Sequence, residues 1–182
     1  EIAPTIEDRG IDEIYVELSE LAGIEHDGGR AVGSALKAAV RERTGLTCSI
    51  GITPNKLLSK LASELDKPDG LTLLTHADIP ARIWPLAVRK VNGIGPKAAA
   101  KLGTLGIETV GQLAAADPAF LQEQFGKAFG AWMHEAAHGR EPTLEELAEA
   151  AGMSVRHAQE ALEAVEASVS LNRPVGDGAG EL

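Results

Sequence analysis

The sequence predicts an α+β chain: a mixed layer of strands and helices, then an all-helical portion, then a C-terminal helix-turn-helix. Three observations predict it. Between Ile11 and Leu74, short runs of β-formers alternate with amphipathic stretches at helical period. From Lys97 onward the apolar residues recur at helical spacing only. After Pro142 come a capping signal, a helical pattern, a glycine and a second helical pattern, in the order of a helix-turn-helix.

Ile11 to Leu18, IDEIYVEL, is rich in β-formers and reads as a strand. Arg30 to Arg43 is an amphipathic helix, with Ala31, Val32, Ala35, Leu36, Ala39 and Val40 on one stripe. Arg30, Ser34, Lys37 and Arg41 lie opposite, and Gly45 ends the helix. Thr47 to Ile52 is a second strand, and a helix from Pro54 to about Leu65 turns Leu57, Leu58, Leu61, Ala62 and Leu65 inward. Lys67-Pro68-Asp69-Gly70 is a turn, Leu71 to Leu74 a third strand, and the whole reads as helices laid on one sheet. A short helix near Ala77 to Trp84 and the segment Pro85 to Lys90 follow. Farther on, Phe120, Leu121, Phe125, Phe129, Trp132 and Met133 are expected to be core, and Gly139 to close their last helix. Thr143 and Glu146 form a capping box. Leu144, Leu147, Ala148 and Ala151 then face inward, Gly152 breaks the helix, and Val155, Ala158, Leu162 and Val165 face inward from the next. Gly176 to Leu182 is expected to be a loose tail.

Composition narrows the function classes. At 44% hydrophobic the chain is not disordered throughout, and no apolar run approaches the ~20 residues of a membrane span, so no membrane partner is expected. Cys48 is the sole cysteine, which rules out an internal disulfide and suits a reducing cytoplasm. The chain opens on Glu1 and reads as starting within a domain. The net charge of −10 disfavours a generic nucleic-acid binder, but its distribution matters more. Lys56 to Lys101 carries eight Lys/Arg against four Asp/Glu, whereas Pro142 to Leu182 carries two against eight. The middle can face phosphate; the tail as a whole repels it.

Within that basic middle lies VRKVNGIGPKAAAKLGTLGIETVGQL, Val88 to Leu113. Gly93-Ile94-Gly95-Pro96-Lys97 separates apolar helical patterns, and Pro96 suits the first turn of a helix. A helix starting there aims unpaired N–H groups and a partial positive charge at the hairpin, and Lys97 adds a full one. One reading is a Gly-rich turn between core helices. The Pro-Lys pair, the second start at Gly106 to Gly111 and the preceding Arg89-Lys90 favour the other, a helix-hairpin-helix gripping DNA by its backbone. Gly93, Gly95 and Lys97, with Arg89, Lys90 and Lys101, are the expected DNA-binding residues.

Three segments in order, GIDEIYVEL, TCSIGITPNKLLSKLASELDKPDGLTLL and the hairpin run, resemble the Y-family translesion DNA polymerases of the DNA polymerase IV group. The resemblance runs from about Ile6 to Arg140 and implies the later half of a palm domain followed by a thumb. It implies catalytic and metal-binding roles for Asp12 and Glu13, holding Mg²⁺ at the primer end, and a triphosphate contact for Lys67. Two divalent ions and a triphosphate need clustered carboxylates. Neighbours on a strand point to opposite faces, so Asp12 and Glu13 reach one metal only at a bend. Gly10 and Ile14 stand where the family usually has Ser and Ala. The first palm strand with its metal-binding Asp, the fingers and the little finger have no counterpart here.

PTLEELAEAAGMSVRHAQEALEAVEASVSLNRPVGDGAGEL resembles region 3 of bacterial sigma factors, with Leu171-Asn172 where Leu-Asp is usual. An acidic two-helix packing unit is the other reading of it. A polymerase-like portion joined near Glu141 to a sigma-like one reads as a chimeric, engineered or generated chain. The expected organisation is a truncated palm-like α/β layer at 1–86, a helix-hairpin-helix thumb at 87–141, the helix-turn-helix at 142–175 and the tail at 176–182. Three functions follow: backbone-directed binding of duplex DNA; a protein-interaction module (inhibitor, antitoxin-like factor or transcription-factor mimic) whose acidic C-terminal segment meets a protein partner; and residual Mg²⁺-dependent translesion polymerisation. A truncated palm also leaves a sheet edge through which a homodimer can form.

Overall fold

Two short pairs of strands, not one layer, carry the β structure among the described residues. The structure is a computed structural model and describes residues 5–21 and 24–170. Among them the order is β1 (Thr5–Asp8), β2 (Ile14–Glu17), α1 (Ile24–Asp27), α2 (Arg30–Thr44), β3 (Ile50–Ile52), α3 (Lys56–Leu65) and β4 (Leu71–Leu73). A 3₁₀ turn at His76–Asp78, α4 (Ile79–Arg82) and a second 3₁₀ turn at Val88–Lys90 come next. The rest is helical: α5 (Pro96–Thr104), α6 (Val110–Ala115), α7 (Pro118–Phe125), α8 (Lys127–Ala137), α9 (Leu144–Ala151) and α10 (Val155–Ser170). The chain divides into two compact units, Glu1–Pro85 with Gly139–Glu141, and Leu86–His138 with Pro142–Leu182. The expected tail and most of the SVSLNRPVG run lie outside the described residues.

In the first unit β1 and β2 pair antiparallel, Thr5 opposite Glu17 and Asp8 opposite Ile14. The strand expected from Ile11 starts only at Ile14, because residues 9–13 make the hairpin turn. Arg9 N–H donates to Glu13 O at 3.0 Å, and Gly10 takes φ 127, a conformation open to glycine. β1 was not expected: TIED has no run of β-formers, and pairing with β2 orders it.

β3 and β4 are parallel, Ile50 opposite Leu71 and Ile52 opposite Leu73, with α3 as the crossover. Leu57, Leu58, Leu61 and Ala62 form the buried face of α3, and the Asn55 side chain caps it by accepting from Leu58 N–H at 2.9 Å. Glu141 Oε2 accepts from Lys56 N–H at 3.1 Å, a negative charge at the positive end of the helix. The helix lies directly on β3: a Cβ at Gly51 would sit 2.4 Å from Ser59 O, and Ser59 Oγ donates to Gly51 O at 2.6 Å.

The inner face of α2 differs from the expected stripe. Ala31 and Ala35 are exposed, and Gly33 is the buried residue. A Cβ there would meet Leu71 Cδ1 at 2.7 Å and Ile52 Cδ1 at 2.9 Å, so its absence lets the helix approach the β3–β4 pair. Lys37, expected outward, is only 19% exposed. Its Nζ donates to Cys48 O at 2.6 Å and pairs with Asp69, because carbonyls at the strand ends need donors and the lysine stem covers apolar surface. The helix expected at Ala77 to Trp84 is a 3₁₀ turn followed by α4, opened by a Thr75–Asp78 capping box and anchored by buried Ile79 and Ile83. The Thr75 backbone and hydroxyl hold the Asp78 carboxyl below its ordinary value, and Thr72 and Arg82 do the same for Asp66.

In the second unit Leu102, Val110, Leu113, Leu121 and Met133 are fully buried. Phe129 is buried as expected and stacks on Trp132, which like Phe125 is only half-buried, with ring centroids 5.5 Å apart. Phe120 is not: it is 36% exposed in the first turn of α7, where Asp117 caps its N–H. Thr143 and Glu146 close their capping box, and Gly152 ends α9 at φ 61. Ala148, Ala151 and Ala158 pack with Ala128 of α8, and these small side chains let the three helices come close. The sigma-like segment therefore shares a core with α8. Val155, expected inward, is 40% exposed as the first residue of α10, before the helix turns its face to α9.

Candidate nucleic-acid interface

The hairpin is held from beneath and exposes Asn92, Pro96 and Lys97, while Gly95 is buried. Val88 N–H donates to Glu108 O and Val110 N–H to Leu86 O, each at 2.9 Å, tying the 3₁₀ turn to the start of α6. Val88, Val91 and Ile94 are buried, and Asn92 is exposed between them. The two glycines do different work. Gly93 needs φ 98, and the Trp132 ring closes over it: a Cβ would lie 2.5 Å from Trp132 Cη2. Gly95 has an ordinary φ of −72 and is the N-cap of α5.

No side chain caps α5, and Pro96 occupies its first position. By contrast α6, α7 and α9 are closed by Thr109, Asp117 and Thr143. The first turn of α5 therefore keeps its amides for an outside acceptor, with the partial positive charge of the helix behind them. Lys97 sits in that turn, and Arg89 and Lys90 end the preceding 3₁₀ turn. All three are exposed, and none is engaged by a carboxylate among the described residues. Lys101 is placed differently: its Nζ donates to Gln124 O and lies 4.8 Å from the Phe125 ring centroid, so its ammonium is held by α7. Sequence reasoning passed over Lys127, exposed at the start of α8 where Gly126 also supplies no cap. The Gly-Lys pair after an apolar helix was the available signal.

Asp12 and Glu13 lie in the β1–β2 turn, at the kind of bend that two adjacent carboxylates need to serve one ion. Both are exposed, and Glu13 is paired with the Lys60 ammonium of α3, a partner sequence reasoning missed. Lys56 pairs similarly with Glu7, which holds the Glu7 carboxyl below its ordinary value. Lys67 is exposed in its turn and paired with Glu64. Among the described residues no group of three or more His, Cys, Asp or Glu could hold a metal ion. The described residues therefore do not fit a two-ion Mg²⁺ centre, which needs more carboxylate than one doublet with a lysine on it.

Comparison with known proteins agrees with this layout. Residues 1–64 match the impB/mucB/samB family, and residues 76–107 match the HHH motif of the same IMS family. The chain carries a Y-family DNA polymerase IV palm and thumb region. DNA polymerase IV of Moorella thermoacetica is 41% identical over 139 residues, covering 76% of this chain and 34% of that protein. DNA polymerase IV 1 of Methanosarcina mazei is 44% identical over 135 residues, covering 74% and 37%. This chain thus spans about a third of the length of the curated relatives it matches. Among solved structures, DinB from Sulfolobus solfataricus matches with a TM-score of 0.65 at 26% identity, over 78% of this chain and 42% of that one. A Dbh ternary complex with partially disordered substrates matches at TM-score 0.67 and 26% identity, over 78% and 43%. Behind the polymerase IV-like region, residues 133–182 match Sigma-70 region 3, a span that begins inside α8. No helix among the described residues is long and apolar enough to cross a membrane.

Proposed function

We propose that the polymerase IV-like thumb of this chain holds duplex DNA by its phosphate backbone, without reading sequence, in the cytoplasm. The observation that supports it most is the start of α5: an uncapped helix end above a hairpin fixed by Trp132, flanked by unpaired Arg89, Lys90 and Lys97. Backbone amides and cations of this kind position a duplex but carry no sequence information. Fluorescence anisotropy with labelled duplexes tests it. Lys97→Glu is expected to weaken binding by about 2 kcal/mol, roughly thirtyfold, for unrelated duplexes alike, because it removes one charge-assisted phosphate contact. The side chain is exposed, so circular dichroism should not change. Undiminished binding by the variant would move the DNA off the hairpin.

We further propose that these 182 residues do not extend a primer by themselves. Transfer by two metal ions needs both ions held about 4 Å apart, and here Glu13 is engaged by Lys60 with no third carboxylate beside it among the described residues. A primer-extension assay with four nucleotides and Mg²⁺ or Mn²⁺ is expected to give no product above background. Extension that disappears in Asp12→Ala/Glu13→Ala would instead establish a complete catalytic site.

A further inference from the structure

Near the end of α8 the sequence reads His134-Glu135-Ala136-Ala137-His138, a feature the DNA-binding reading does not use. Residues four apart share a helix face. The two imidazole rings meet there, with centroids 4.7 Å apart and planes at 64°. We propose that His134 and His138 form a two-imidazole site for a borderline transition-metal ion, Cu²⁺ foremost and Ni²⁺ or Zn²⁺ more weakly.

Three features support it. Imidazole suits these ions, whose affinities for a given nitrogen site rise to a maximum at Cu²⁺. The helix ends at Ala137 with His138 as its C-cap, so the ion would lie at the negative end of the helix. The Glu135 carboxylate stands 3.7 Å from His134 Nδ1, within ion-pair range though too long for a hydrogen bond. The negative charge of that carboxylate beside the ring favours a cation held there. At 18% exposure the His134 side chain is reachable from solvent.

The five-residue string also spells the His-Glu-x-x-His pattern of zinc hydrolases. Those centres hold the ion with three protein ligands, and no such group of three is present among the described residues. The site is therefore proposed as an exchangeable two-ligand one with open positions, not as a hydrolytic centre.

The test uses the whole chain at neutral pH. Titration with Cu²⁺ followed by calorimetry is expected to show one ion per chain at the tightest site. His134→Gln and His138→Gln should each weaken it at least tenfold, with His157→Gln, on exposed α10 surface, as a control that leaves it unchanged. Wild-type affinity in either variant of the pair, or loss of the site in His157→Gln, overturns the proposal. A measurement on the unaltered chain removes any dependence on how the variants fold. Paramagnetic Cu²⁺ should broaden the ring protons of His134 and His138 before those of His26, His76 and His157, and the reverse order overturns it equally.

Discussion

Gly93→Ala is expected to destabilise the second unit by about 3 kcal/mol, the sum of left-handed backbone strain and overpacking against an aromatic ring. Both causes act at one atom: φ is 98, and the new methyl would sit 2.5 Å from Trp132 Cη2. Differential scanning calorimetry should show the corresponding transition fall by roughly 15 °C. DNA affinity should fall with it, because Trp132 is what fixes the hairpin. Adding Trp132→Leu should return part of the loss, since it relieves the steric term and leaves the backbone term. A single variant as stable as the wild type would mean that the ring does not close over the turn.

Gly51→Ala is expected to cost the first unit a similar amount, on the order of 3 kcal/mol, for a different reason. Its φ is not at issue; space is. The methyl would lie 2.4 Å from Ser59 O, 2.7 Å from Ser63 N and 2.7 Å from Ala62 Cβ, and two of those are backbone atoms of α3 that no rotamer change can move aside. Shifting α3 also displaces Lys60, which engages Glu13, and Lys56, which engages Glu7. Hydrogen exchange should show faster opening of residues 50–73 and little change in residues 96–137. Equal loss of protection in both stretches would contradict the division into two units.

How far the sequence could be read follows from where its information is local. The Thr143–Glu146 capping box, Gly45 and Gly152 as helix ends, and the buried face of α3 as far as Ala62 agree with the sequence; Leu65, expected inward at the end of that helix, is only half-buried. Each depends on residues within one or two helical turns of one another. The misreadings depend on partners far along the chain. β1 exists because β2 pairs with it, and TIED alone carries no strand signal. Lys37 turns inward because carbonyls of Cys48 and Gly70 wait there, so a charge on the expected polar face became part of the packing. Gly33 became the closest approach of α2 only because Leu71 and Ile52 lie against it.

The site divides the same way. The family segments placed the hairpin, and glycine chemistry explained why something must turn there. Which glycine turns was not legible, since Gly93 and Gly95 look alike until Trp132 is set against the first. Lys101 looked equivalent to Lys97 in the run of basic residues, yet its amine is held by Gln124 O. The acidic doublet lies in the turn of residues 9–13, a bend set by the pairing of β1 with β2. Lys60, four residues into α3's pattern and unremarkable in sequence, is what neutralises Glu13.

Backbone-directed binding through the hairpin is tested most directly by the salt dependence of duplex affinity. A hairpin that meets about two phosphates predicts a slope of log K on log salt near −2, at about −0.9 per phosphate, equal for two unrelated duplexes. In Lys97→Glu the slope should become shallower by about one. A slope near zero, or one unchanged by Lys97→Glu, would contradict the account.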